Sequence, residues 1–177
     1  QVFNDSVMAH FDQEWYTRFY GTPPAEQFRI IIGFTNGPCN YGPSRKLTGQ
    51  PKEVFAIMNY AVDDNERPIF YKKVVETVVH EFCHSFIKIK GDTEKALEKS
   101  GKALQEYTYF SMRRQAYSTW RNILEESLVR AATICYLIDH DYDEKDIRNA
   151  IIEQVDRNFF WMPELVQTLR YYESHRK

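Results

Sequence analysis

Two histidines four residues apart lie inside a strongly apolar stretch of this chain. The stretch contains the sequence His80-Glu81-Phe82-Cys83-His84. Apolar residues recur there at spacings of three and four, which predicts a mostly buried helix; they are Val75, Val78, Val79, Phe82 and Phe86. Residues i and i+4 of a helix share one face, so both imidazoles should point the same way. Because unpaired buried polar groups cost a few kcal/mol each, a bound metal ion is a favourable partner for them.

The spacing of these residues indicates a specific chemistry. Two imidazoles one helical turn apart can bind one zinc ion, and the glutamate beside the first can take a proton from the metal-bound water. We therefore predict that His80 and His84 are zinc ligands and that Glu81 is the general base, which later passes the proton to the leaving amine. The pattern predicts a Zn²⁺-dependent hydrolase, most often a peptidase. Neutral imidazoles bind the metal, so binding should weaken as the pH falls.

Composition sets limits on the class of protein. A chain of 177 residues fits one domain, and its 43% hydrophobic and 15% aromatic content provides a sizeable core. The net charge of -2 gives no reason to expect nucleic acid or an anionic membrane as a partner. No apolar stretch approaches the ~20 residues that span a bilayer. Because the sequence begins with Gln1, we expect a processed or trimmed chain, which could belong to a larger protein with further domains.

The three cysteines do not form a recognisable framework. Cys39, Cys83 and Cys135 are odd in number and widely spaced, which fits neither a disulfide scaffold nor a zinc knuckle. Cys83 lies within the histidine motif but points about 100° away from His84 on the helix. We predict that it is a small core residue rather than a ligand.

The first third of the chain predicts one helix and two strands. Helical spacing indicates a helix over residues 4–20, capped by Asn4 or Asp5. Two β-branched runs, 28–34 and 53–60, predict strands separated by a loop rich in Asn, Gly and Pro.

The remainder of the chain predicts helices almost throughout. They cover residues 69–90, 93–113, 117–139 and 143–159, and a last helix begins at Met162-Pro163. The expected fold class is therefore α+β, mainly helical, with a small N-terminal sheet.

A third metal ligand must come from outside the motif. Catalytic zinc usually has three protein ligands. In the extended metzincin motif a glycine and a third histidine follow, but Ile87 and Lys90 occupy those positions here. A glutamate from a later helix is the alternative, and Glu125 and Glu126 are the candidates. The positions of the two on a helical wheel leave both open.

At this point the chain resembles the gluzincin branch of zinc metallopeptidases. In that branch a second helix brings a glutamate followed by a small residue and a bulky apolar one, as in Glu126-Ser127-Leu128. The resemblance implies that Glu126 is the third ligand and that residues 1–177 form a single zincin-like domain. Arg130 departs from the pattern, because many gluzincins have an acid at that position. Arg130 could pair with Glu125, Glu126 or a substrate carboxylate.

The same residues also resemble an uncharacterised family of gluzincin-like bacterial proteins, which are often exported. The resemblance therefore implies a secreted or periplasmic location and a peptide or protein substrate. By analogy with zincin-like folds, the strand within residues 54–60 is expected to offer its edge to an extended peptide.

Several other polar residues are weaker candidates for a role in the site. A hydrogen-bond donor often stabilises the oxyanion in such hydrolases, and four tyrosines are open candidates: Tyr41, Tyr107, Tyr109 and Tyr117. His140, in Asp139-His140-Asp141, is predicted to cap a helix end.

Two alternative functions remain open at the level of sequence. One is a binding or scaffold domain that keeps a zincin-like fold without turnover, against which the intact Glu81 argues. The other is zinc-dependent hydrolysis of a non-peptide amide or ester.

Overall fold

The computed structural model describes residues 1–33, 35, 37, 40–71 and 73–176. These residues divide into two compact units, Gln1–Phe86 and Ile87–Lys177. The first contains the small sheet and the motif helix, and the second is helical. The prediction of a mainly helical α+β chain with a small N-terminal sheet is confirmed. Whether residues 1–177 act as a single zincin-like domain stays a prediction.

The first unit begins with short helical segments and continues into the sheet. Its elements are α1 (Val2–Ser6), a 3₁₀ turn (Met8–His10), α2 (Trp15–Tyr20), β1 (Gln27–Ile32), β2 (Ser44–Arg45), β3 (Glu53–Met58), β4 (Ala61–Val62), β5 (Pro68–Ile69) and α3 (Lys73–Cys83). The two predicted strands appear as β1 and β3; Phe34, at the end of the first prediction, lies outside the described residues.

The prediction of one helix over residues 4–20 is wrong, because the chain breaks before α2. Phe11 is extended, with φ -95° and ψ 120°. The Asp12 carboxylate then accepts hydrogen bonds from the main-chain N–H of Glu14 at 2.9 Å and of Trp15 at 3.3 Å. A side chain that caps these free N–H groups starts a new helix, so the helical spacing spans two separate segments.

In the three-stranded sheet β3 is the central strand, with strand order β1-β3-β2, and β4 and β5 form a separate two-stranded sheet. β1 pairs with β3 in parallel along its whole length, from Gln27 opposite Glu53 to Ile32 opposite Met58. β2 pairs with the other side of β3 in an antiparallel direction, and an isolated bridge joins Tyr41 to Ile57. The expectation that the strand within 54–60 offers a free edge is therefore wrong. The edge on that side is formed by residues 41–45.

The motif helix α3 is shorter than the predicted 69–90, of which Lys72 lies outside the described residues. Beyond Cys83 the chain forms a tighter turn, because the main-chain N–H groups of Ser85 and Phe86 donate to the carbonyls three positions earlier, those of Phe82 and Cys83, both at 3.0 Å. The Phe86 ring stacks on Tyr20, with centroids 4.4 Å apart. Aromatic packing therefore favours a turn here over further helix.

The second unit consists of helices packed around one long central helix. Its elements are α4 (Gly91–Tyr107), α5 (Tyr109–Arg114), α6 (Trp120–Asp139), α7 (Glu144–Asp156) and α8 (Met162–His175). The predicted 93–113 helix is interrupted at Thr108, whose hydroxyl donates to the Leu104 carbonyl at 2.8 Å. The helices predicted from 117, 143 and 162 are confirmed within a few residues at their ends.

Candidate metal centre

The two motif histidines face each other at the C-terminal end of α3. His80 lies in the last turn of the helix, and His84 is the first residue after it. Their ring centroids are 5.0 Å apart and the ring planes meet at 83°. Both side chains are half-buried. The sequence expectation that the two imidazoles share one face is confirmed.

The apolar face of α3 fixes this helix against the sheet. Val75, Val78, Val79, Phe82 and Cys83 are buried, and the helix packs on β3. The Phe82 ring stacks on Phe28 of β1 with centroids 4.3 Å apart. The buried Tyr16 hydroxyl donates to the Val79 carbonyl at 3.2 Å, next to the motif. The histidines thus stand on a rigid support, which suits a site that must hold its geometry.

Cys83 does not belong to the reactive groups of the motif. Its side chain is completely buried. Burial raises the pKa of the Cys83 thiol to about 12, an effect only partly opposed by a hydrogen bond with Tyr20. The thiol therefore stays protonated at neutral pH, and the prediction of a small core residue is confirmed. Cys135 is also buried, whereas Cys39 lies outside the described residues.

Glu126 is a buried carboxylate on α6, the central helix of the second unit. The Thr119 hydroxyl caps this helix by accepting from the main-chain N–H of Asn122 at 3.2 Å. The helix packs closely on α4, where a Cβ added to Gly101 would lie 2.5 Å from the Trp120 ring. Glu126 is only 6% exposed. A carboxylate buried to this degree is costly unless it is paired with a cation.

Arg130 provides that partner one turn further along α6. Its Nε lies 2.8 Å from Oε1 of Glu126, an ion pair that is not aligned as a hydrogen bond. The guanidinium is held by three other groups, since it donates to the Tyr117 hydroxyl at 3.1 Å and to the Gln154 side chain and lies over the Phe159 ring. The sequence left several ion-pair partners open for Arg130, and in the structure its partner is Glu126. Gln154 and Phe159 were missed, because they lie more than twenty positions away in the chain.

Tyr117 borders the same carboxylate. Burial raises the pKa of Tyr117, and the negative charge of Glu126 raises it further, against the smaller opposing effect of Arg130. The hydroxyl therefore keeps its proton at neutral pH and can act as a hydrogen-bond donor.

Glu125, the competing candidate, is used differently. Its Oε1 accepts a hydrogen bond from the main-chain N–H of Ile89 at 2.8 Å. This bond satisfies a donor in the extended segment that precedes α4. Glu125 therefore has a local structural role in the second unit.

His80, His84 and Glu126 together form a group that can hold a metal ion. Each offers one ligand atom, and these atoms all lie within 4.8 Å of one another. The group includes Glu126 and not Glu125. Two imidazole nitrogens and one carboxylate oxygen are a donor set that suits zinc.

Comparison with known proteins identifies the family of the chain. A family model described as a domain of unknown function, DUF4932, matches residues 1–177. The chain belongs to the DUF4932 family. Searches of curated proteins and of solved structures give no match to it. Within the described part of this DUF4932 chain, no helix is both long enough and apolar enough to cross a membrane.

The other candidate residues of the DUF4932 chain lie in varied surroundings. Tyr107 is 80% exposed and the Tyr109 hydroxyl accepts a hydrogen bond from Arg113, whereas Tyr117 lies beside Glu126. Tyr41 lies on the edge segment of the sheet. His140 is the C-cap of α6, as predicted, with its Nδ1 2.8 Å from the Tyr136 carbonyl oxygen.

One residue that sequence reasoning missed is Gly42. It lies within the predicted loop rich in Asn, Gly and Pro, but in the structure it belongs to the edge segment of the sheet and lies against Glu81. The one signal in the sequence is that this residue is a glycine, and glycine is common in turns for other reasons.

Proposed function

We propose that this protein is a zinc-dependent hydrolase that cleaves peptide bonds, with Glu81 as the general base. His80, His84 and Glu126 would hold the zinc ion. The observation that carries the proposal is the group formed by these three side chains, with a glutamate immediately after the first histidine. A metal site without such a glutamate would suit a purely structural role equally well.

The environment of Glu126 supports its role as an anionic ligand. Arg130 favours the ionised carboxylate, which is the form that binds a metal. The bonds from Arg130 to its neighbours hold the guanidinium in place and thereby limit the positions open to Glu126. Arrangements of this kind orient metal ligands and tune them. The unusual arginine is therefore compatible with a ligand role for Glu126.

The chemistry divides between the ion and the side chains. When bound, zinc would supply a Lewis acid that polarises the scissile carbonyl and acidifies water. The Glu81 carboxylate would accept the proton of the attacking water and deliver it to the leaving amine. Tyr117 is the tyrosine that best fits a donor role, because its hydroxyl borders Glu126 and stays protonated.

The edge of the sheet supports a peptide as the substrate. Tyr41 directs its N–H and C=O groups to Ile57, and the Pro43 carbonyl accepts from Phe55 at 2.9 Å. Because alternate residues of an antiparallel strand point their main-chain groups to opposite sides, Gly42 and Ser44 direct theirs away from β3. Among the described residues no strand pairs with that outer side. An extended peptide could add to it as a further strand, next to Glu81.

Removal and return of the metal tests the proposal. Chelation should abolish the hydrolysis of a mixed peptide library, and about one equivalent of zinc per chain should restore it, because one three-ligand site holds one ion. Product formation by mass spectrometry measures the effect. Hydrolysis that survives complete removal of the metal would contradict the proposal. Zinc-dependent binding of peptides without cleavage would support the scaffold alternative instead.

A further inference from the structure

Gly42 is required for space rather than for backbone conformation. Its φ lies outside the positive range found at Gly21, Gly37, Gly49 and Gly91, so an alanine would fit the local backbone. A Cβ at this position, however, would lie 2.5 Å from Oε2 of Glu81 and 3.4 Å from its main-chain oxygen. Separations near 2.5 Å are not tolerated between a carbon and an oxygen that are not bonded. The carboxylate of Glu81 therefore occupies the place of the missing side chain.

The register of the sheet explains why this contact is so close. Tyr41 pairs with Ile57 and Ser44 with Val54, which places Gly42 opposite Ala56. Ala56 is completely buried. Two of the smallest residues thus stand side by side on the sheet at the point where Glu81 approaches, and side chains directly opposite each other share one face.

Hydrogen bonds on both sides of Gly42 hold the edge segment, residues 41–45, in place. Main-chain bonds of 3.0 and 2.8 Å join Tyr41 to Ile57 on one side of Gly42. On the other side, Arg45 donates to the buried Glu53 carboxylate at 2.5 Å. A side chain at position 42 would thus displace the carboxylate of Glu81, the end of a flexible side chain, and not the strand.

We infer that Gly42 is a positioning residue for Glu81. The gap that it leaves allows the general base to lie against the strand edge along which a peptide would run. This inference rests on the proposed function. Any side chain at position 42 would move the carboxylate away from the water that it must deprotonate.

Gly42→Ala tests this role with two independent readouts. Crystal structures of the metal-free variant and the metal-free wild type should show a displaced Glu81 carboxylate and an unchanged strand 41–45. The kcat for peptide hydrolysis should fall about 100-fold, as expected when a catalytic group is misplaced by about 1 Å. KM should change less than about twofold, because the lost interaction belongs to the transition state. Zinc affinity should be unchanged. As a control, substitution of the exposed Lys46, Lys46→Ala, should match the wild type in every measurement.

An unmoved carboxylate together with an unchanged kcat would overturn the inference. If the wild type hydrolyses no peptide, the proposed function fails, but the two metal-free structures still decide whether Gly42 sets the position of Glu81. If Gly42→Ala does not fold, the double variant Gly42→Ala/Glu81→Ala decides. Recovery of folding when the carboxylate is removed would support the contact, and continued failure would contradict it.

Discussion

Glu81→Gln is expected to abolish hydrolysis and leave zinc binding intact. The amide has nearly the shape of the carboxylate but cannot accept the proton of the attacking water. Loss of a general base lowers kcat by about 100-fold or more. Glu81 is not part of the group that can hold the metal, so the zinc content of the variant should match that of the wild type. Steady-state kinetics and metal analysis on the same preparation measure both effects.

Glu106→Gln is the matched control for this substitution. Glu106 is an exposed glutamate on α4 and is not part of the group that can hold the metal. The control should keep kcat within about twofold of the wild type, since helix surface substitutions away from a site have small effects. Activity that survives in Glu81→Gln would show that another group deprotonates the water.

Glu126→Gln is expected to weaken zinc affinity strongly, whereas Glu125→Gln should leave it nearly unchanged. A neutral amide is a poorer zinc ligand than a carboxylate. Substitution of residues that only support the ligands can lower metal affinity by up to ~100-fold, so loss of a direct ligand should lower zinc affinity at least as much. The glutamine at position 125 can still accept the hydrogen bond from Ile89, so its local structure should persist. Competition with a zinc-binding dye measures both affinities.

The adjacent pair makes this comparison unusually direct. The two variants carry the same chemical change on the same helix, one residue apart. A larger loss of affinity in Glu125→Gln than in Glu126→Gln would reverse the assignment of the third ligand. An equally small loss of zinc affinity in both variants would show that neither glutamate of α6 is a zinc ligand.

The parts of the site that repeat with the period of a helix were predictable from sequence. The stripe from Val75 to Phe86 indicated a buried helix and a shared direction for His80 and His84. The small and apolar residues after Glu126 indicated that it was a better candidate than Glu125, and the group that could hold a metal ion includes it. Local spacing carries this information because the geometry of one helix is fixed.

The parts that depend on distant contacts were not predictable. Helical spacing continues through Phe11 and Thr108, although the structure breaks the helix at both positions. The central place of β3 depends on pairing with residues 41–45, which composition assigned to a loop. The packing of Arg130 on Phe159 joins residues far apart in the chain. Such choices between competing contacts are made by tertiary structure.

The metal content of protein purified without added zinc tests the central claim most directly. The wild type should contain about one zinc per chain, and His84→Ala should contain almost none, because two remaining ligands do not retain the ion through purification. Elemental analysis by mass spectrometry measures both on matched samples, with circular dichroism to confirm that the variant is folded. An absence of metal from the wild type after incubation with zinc, or equal zinc in both proteins, would contradict the account.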